Sequence, residues 1–276
     1  MLGGRSAVAV STASTLLFIG GMVALIMLAP GGGSVRQTFF SLHDMKVAFL
    51  GDPSEGLYSV GKAFLLNIEM FLVAEAIILV FALIIAVIRQ SRSPVLFPIR
   101  MVAIAYTDLF RGVPLILVIY AIGFGAPALY LRGISTQSEL FYGVTALVLS
   151  YSAYVSEVYR AGLASVHQSQ VAAARSLGLS QTRTLRHVVL PQAVRTVIPP
   201  LLNDFISLQK DTALVATLGT VIEANRAAEI YGATTFNYSG FTVAALLFLL
   251  LTIPLARFTD HLIAKDRARR LAGAAR

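Results

Sequence analysis

Six stretches of the 276-residue chain are apolar over the length a helix needs to cross a bilayer: 7–29, 63–88, 106–130, 140–157, 196–219 and 240–262. About 20 such residues suffice, at 1.5 Å of rise each. Between the fourth and fifth stretches the pattern changes. Residues 168–195, QSQVAAARSLGLSQTRTLRHVVLPQAVR, carry charge at Arg175, Arg183, Arg186 and Arg195 and helix breakers at Gly178 and Pro191. The run 168–177 has helical composition, with Val171, Ala172, Ala173, Ala174 and Leu177. Gly178 suits the left-handed position just past a helix end, and Leu179 folds back on the last turn. Ser180 then caps a second helix, which passes through Leu185, Val188 and Val189 and is expected to stop near Pro191. Two outer segments look modest. Residues 30–61, with APGGGS and GDPSEG, read as a punctuated loop, and 221–238 as a short surface helix ending near Gly232.

Composition sharpens the picture. Hydrophobic residues make up 57% of the chain and charged ones 13%, against about 45–50% and 25% in soluble domains. This is the composition of an all-α integral membrane protein. The first stretch follows Arg5 as a signal peptide would, but its run is long and Met27 before Ala29 spoils a small-x-small cleavage pattern. It is read as a retained span. With six spans and both ends in the cytoplasm, sixteen of the 22 Lys and Arg fall on the inner side, Arg92 and Arg276 among them. Five fall outside and Lys210 lies within a span, as the positive-inside rule asks. The 168–195 stretch is then cytoplasmic. The net charge of +8 fits anionic lipid headgroups rather than nucleic acid. The chain has no cysteine, and its four histidines lack ligand spacing, which excludes disulfides and argues against zinc or haem.

Enzyme motifs do not survive inspection. GLYSVGKA, at 56–63, matches a phosphate loop except that Ala63 stands where Ser or Thr must hold Mg²⁺. Gly61 and Lys62 are read instead as a turn and an interfacial anchor. Polar residues inside the spans say more, because an ionisable group near the bilayer centre costs about 2.5–3.5 kcal/mol and normally faces a bundle interior or a wet cavity. Glu75 lies deep in the second span, beyond Asn67 and Glu69. In the fifth, Asn203, Ser207, Lys210 and Asp211 recur at i, i+4, i+7 and i+8 on one helical face, with Asp204 beside them. Such a face lines a solute path or satisfies itself between packed helices; periodicity allows both. Pro199 and Pro200 predict a bent or broken entry to that span. DLFRGVP, at 108–114, predicts an interruption of the third span, with Asp108 and Arg111 as its charge pair and gate or packing candidates.

The 168–195 stretch has the outline of a DNA-reading helix-turn-helix, but it is tethered at both ends to spans and has no separate domain to pack on. It reads better as a docking foot, whose small residues admit another surface and whose arginines rim it. It resembles the coupling loop of ABC-transporter permeases: Glu-Ala-Ala, three residues, Gly, nine residues, Ile-x-Leu-Pro. Ala173, Ala174, Gly178, Leu190 and Pro191 match in register, Val188 stands for Ile, and Ala172 replaces Glu. YTDLFRGVPLIL, YVSEVYRAGLASV and IPPLLNDFISLQKDTAL resemble segments of the polar amino acid uptake subfamily, the histidine/glutamine/arginine-type permeases, over roughly 60–265.

The resemblance implies a five-helix importer core plus an extra N-terminal span. It divides the chain into 1–60 (span and external loop), 61–265 (permease domain with a coupling loop at 158–195) and a basic cytoplasmic tail at 266–276. It also implies a non-catalytic subunit of the bacterial plasma membrane, with no cofactor on this chain and ATP and Mg²⁺ on partner ABC ATPase subunits. An extracytoplasmic solute-binding protein and a second permease subunit, identical or not, complete the assembly. The coupling residues would be Val171, Ala172, Ala173, Ala174, Gly178, Leu190 and Pro191, and the substrate path Glu75, Asn203, Ser207, Lys210 and Asp211. An ion-coupled carrier using the same buried acids is the alternative.

Overall fold

The computed structural model describes residues 4–91 and 93–274; Arg92 and Arg276 lie outside them. Twelve α-helices and short 3₁₀ and π turns account for the regular structure among the described residues, apart from one isolated bridge between Asp52 and Leu57. Among the described residues three helices are long and apolar enough to cross a membrane: α1 (Gly4–Leu28) over Ala9–Leu28, α4 (Val60–Gln90), and α12 (Ser239–Ala274) over Ser239–Lys265. A fourth span results if α5 (Phe97–Gly112) and α6 (Leu115–Ala128), bent by 110° at their junction, count as one. Two further helices, α7 (Glu139–Ala164) and α10 (Leu190–Asp211), run 26 and 22 residues but are more polar.

The core forms where small side chains let helices approach. Ala74, Ile78 and Ala82 of α4 pack with Ala146, Leu147, Tyr151 and Val155 of α7, and Leu208 of α10 joins them. A second cluster gathers on the other side of Asn67, from Val60 and Phe64 of α4, Ala227 and Tyr231 of α11 (Ala224–Thr235), and Val243 and Ala244 of α12. By contrast α1 is exposed at every position from 9 to 28. With Leu17 77% and Leu25 72% exposed, that surface suits lipid rather than water.

The expected external loop is largely helical. It holds helices α2 (Gly32–Phe39) and α3 (Leu42–Leu50); Ser41 caps α3 through the Asp44 N–H and Gly51 ends it at φ +78°. They are tied to the far end of the chain: Tyr238 N donates to Thr38 O, Thr242 Oγ1 to Phe39 O, and Tyr231 OH to Asp44. Likewise Gly61 and Lys62 are the first turn of α4 rather than a free turn, because Ser59 accepts from the Lys62 N–H. The expected surface helix is α11, which extends to Thr235 and buries Ala224, Ala227, Ala228 and Tyr231.

Asn67 ties these parts together. Its Nδ2 donates to Thr212 Oγ1 at 3.1 Å and Glu223 Oε2 at 2.8 Å, and its Oδ1 accepts from the Ala224 N–H at 3.0 Å. Glu223, fully buried, caps α11 by accepting from the Asn225 and Arg226 N–H groups. Burial pushes its carboxyl above the usual range, and those donors pull it back. Asn67→Leu leaves the buried Ala224 N–H without its partner and takes one donor from Glu223, which keeps the Asn225 and Arg226 N–H groups, at a cost of about 2–3 kcal/mol. The purified protein should lose roughly 5 °C or more in melting temperature; an unchanged melt would remove the network from the stabilising contacts.

Candidate functional site

The 108–114 interruption is real, and its geometry opens a cavity. Pro114 disfavours a helical Val113 and has no N–H, so Val113 turns extended and α6 departs at 110°. Behind the elbow lies a cavity of about 250 Å³, lined by Phe110, Val113 and Leu115, by Ser150, Tyr151 and Tyr154 of α7, and by Asp204, Ser207 and Asp211 of α10. Tyr151 OH donates to Asp211 Oδ2 at 2.6 Å, and Tyr154 OH to Arg111 O at 3.3 Å. Ser150 Oγ and Asp204 Oδ2 are buried without a hydrogen-bond partner. Polar atoms so placed are rare in folded proteins and point to a wet or ligand-taking space.

The polar stripe of α10 therefore divides. Ser207 and Asp211 line the cavity together with Asp204, whereas Asn203 and Lys210 are exposed along the other edge of the helix. Glu75 is half-buried on α4, outside the cavity lining but within electrostatic reach of Asp204. Asp108 is exposed and does not pair with Arg111. Arg111 instead reaches Glu157 at 3.6 Å. That carboxylate also accepts from Arg89 of α4 and from Arg160 Nε at 2.9 Å. Sequence reading missed this clasp and the α7 wall. The recurrence of Ser150, Tyr151, Tyr154 and Glu157 at i, i+1, i+4 and i+7 was the available signal.

The foot below the cavity is built by caps. His167 accepts from the Ser169 N–H at the start of α8 (Gln168–Ser176). Gly178 takes φ +82°, and Leu179 N donates back to Ala174 O, as expected. Ser180 caps α9 (Gln181–Thr184), and Gln192 Nε2 donates to Gln170 Oε1 at 2.6 Å, locking the two arms. Ala172, Ala173, Gly178, Leu190 and Pro191 are exposed, Val171 is partly covered and Ala174 buried. Leu177, 85% exposed, adds an apolar tip.

Two expected helix breaks are absent here. The second arm does not stop near Pro191: a π turn at Leu185–Val189 leads straight into α10, with Leu190 N donating to Leu185 O. Pro191 sits in the first turn of α10, where its missing N–H is tolerated. Nor do Pro199 and Pro200 break that helix; α10 runs through both and ends at Asp211, followed by a 3₁₀ segment at Thr212–Leu218.

A multi-pass helical membrane protein with a polar cavity behind a broken helix, joined to a capped two-helix foot, is built as a transport component. The chain belongs to the family of binding-protein-dependent transport system inner membrane components, whose model matches residues 78–267. It is 33% identical over 63% of its length to the probable glutamine ABC transporter permease protein GlnM of Bacillus subtilis, covering 79% of that protein. It is 32% identical over 75% of its length to the probable glutamine permease protein GlnP of the same organism, covering 94% of it. Among solved structures, an amino acid ABC transporter with histidines matches at a TM-score of 0.67 and 28% identity, over 75% of this chain and 93% of that one. The chain is thus a permease subunit, not itself catalytic, and works with a separate ATPase.

Proposed function

We propose that the chain forms the amino-acid path of an ATP-driven importer in the bacterial inner membrane, paired with a second permease subunit. The cavity at the α5–α6 elbow carries this reading, because it offers polar groups to a solute inside an apolar bundle. Ser207 and Asp211, with Glu75 nearby, serve the path. Asn203 and Lys210 face outward from α10 toward the second subunit, and Asp108 and Arg111 flank the elbow as gate or packing residues. Six spans with both termini cytoplasmic follow from the distribution of Lys and Arg. The chain divides at 1–60, 61–265 and 266–276.

The coupling loop at 158–195 then lies in the cytoplasm. ATPase subunits dock on Val171, Ala172, Ala173, Ala174, Gly178, Leu190 and Pro191. A solute-binding protein delivers the amino acid from the outer face, where α2, α3 and α11 form a tied platform. Closure of the ATPases shifts the outward- and inward-facing populations by binding one more tightly.

The test is uptake of labelled amino acid by proteoliposomes holding the assembled complex. Uptake is expected to require ATP and the binding protein, and to fall about tenfold or more in Glu75→Ala at equal assembly. Uptake driven by a proton or sodium gradient without ATP would favour the ion-coupled carrier, and full uptake by Glu75→Ala would remove Glu75 from the path.

A further inference from the structure

The cavity carries an unbalanced charge. Asp204 and Asp211 line it, Glu75 lies within electrostatic reach of Asp204, and no Lys, Arg or His is among the lining residues. The two cations whose sequence positions would offset these acids are engaged or turned elsewhere. Arg111 leans on Glu157 alongside Arg89 and Arg160. Lys210, although next to Asp211 in sequence, is exposed on the outer edge of α10. Its charge reaches Asp211 but leaves the other acids uncompensated.

Two further observations bear on what such a space accepts. Asp204 Oδ2 is buried and has no hydrogen-bond partner, whereas Asp211 Oδ2 is held by Tyr151 OH. One carboxylate is thus positioned by the protein and the other is unengaged. The remaining wall offers the rings of Phe110, Tyr151 and Tyr154, and aromatic faces attract ammonium and guanidinium groups. The hydroxyls of Ser150 and Ser207 are the lining groups able to donate to a substrate carboxylate without bringing a charge.

We infer that the cavity selects amino acids with a cationic side chain over neutral or acidic ones. This rests on the amino-acid path proposed above and deepens it. A neutral-side-chain amino acid brings one ammonium to two lining carboxylates and a carboxylate of its own. A basic amino acid brings two cations, one for each aspartate, and its carboxylate falls to the hydroxyls. An acidic amino acid brings two carboxylates of its own, four in all with the aspartates, to the same low-dielectric space, where like charges repel far more strongly than in water.

The experiment is equilibrium binding of labelled lysine, glutamine and glutamate to the assembled permease–ATPase complex, without a solute-binding protein, so that the receptor's selectivity does not enter. Lysine is expected to bind about tenfold or more tighter than glutamine, and glutamate weakest. Asp204→Asn and Asp211→Asn should each shrink the lysine-to-glutamine preference by about tenfold. If either variant fails to assemble, the wild-type ranking of the three ligands still decides. Glutamine or glutamate binding as tightly as lysine would overturn the charge selection while leaving an amino-acid importer standing. An assembled complex that neither binds nor imports any amino acid would overturn both.

Discussion

Gly178→Pro is expected to abolish co-purification of the ATPase with the permease in mild detergent, while the permease still inserts and accumulates normally. Gly178 turns the chain between α8 and α9 at φ +82° and donates its N–H to Arg175 O. Proline holds φ near −65° and has no N–H, so it supports neither. The arms are then re-aimed, and the tip that presents Ala172, Ala173 and Leu177 loses its shape. Gly178→Ala separates backbone geometry from bulk. No atom lies within 4 Å of the position its Cβ would take, so the expected cost is only the left-handed strain, about 1–2 kcal/mol. Co-purification should therefore fall more than tenfold in the proline variant and survive in the alanine variant, as judged by quantitative pull-down. Equal retention in both would mean that the ATPase does not read this turn.

Glu157→Leu should destabilise the bundle most among single changes outside the apolar core. One carboxylate holds Arg89 of α4, Arg111 at the elbow and Arg160 of α7. The Arg89 and Glu157 side chains are only 11% and 16% exposed. Removing the acid leaves the buried Arg89 guanidinium without its partner, beside the half-exposed Arg111 and Arg160, at a cost on the order of 3 kcal/mol. Replacing both partners, as Glu157→Leu with Arg89→Leu, should recover part of the loss, because no buried charge is then stranded. Melting curves of the two variants check this. If the double variant melts below the single one, the clasp is not what sets stability here.

Much of the architecture is legible in the sequence because it follows from local rules. Apolar runs mark the long helices, Gly178 marks a left-handed turn, and Pro114 marks the elbow. What is not legible depends on residues far apart in the chain. The Glu157 clasp draws arginines from positions 89, 111 and 160, and nothing in the local pattern at Glu157 predicts three partners. The cavity needs the 110° departure of α6, whereas Pro114 signals only that the helix is interrupted. The aspartates of α10 were visible as a stripe, but which edge faces inward is set by packing against α7. Pro191 and Pro199–Pro200 mislead for another reason. Proline disfavours a helix by its own stereochemistry, yet a first-turn position and a tightly packed bundle tolerate it.

The unbroken passage from the π turn into α10 has a mechanical consequence. The last residues of the foot and the cavity wall belong to one shaft, with no loop between them to absorb a stroke. From Leu190 to Ser207 the helix rises about 26 Å, so a tilt of about 10° at the foot swings the wall by some 4–5 Å, more than a hydrogen bond's length. The soft point along the shaft is the Pro199–Pro200 pair, where two backbone donors are missing. Under the proposed coupling, torque applied at the foot must either flex there or arrive at Asp204 and Asp211 undiminished, which would make that pair the clutch between the ATPase and the cavity.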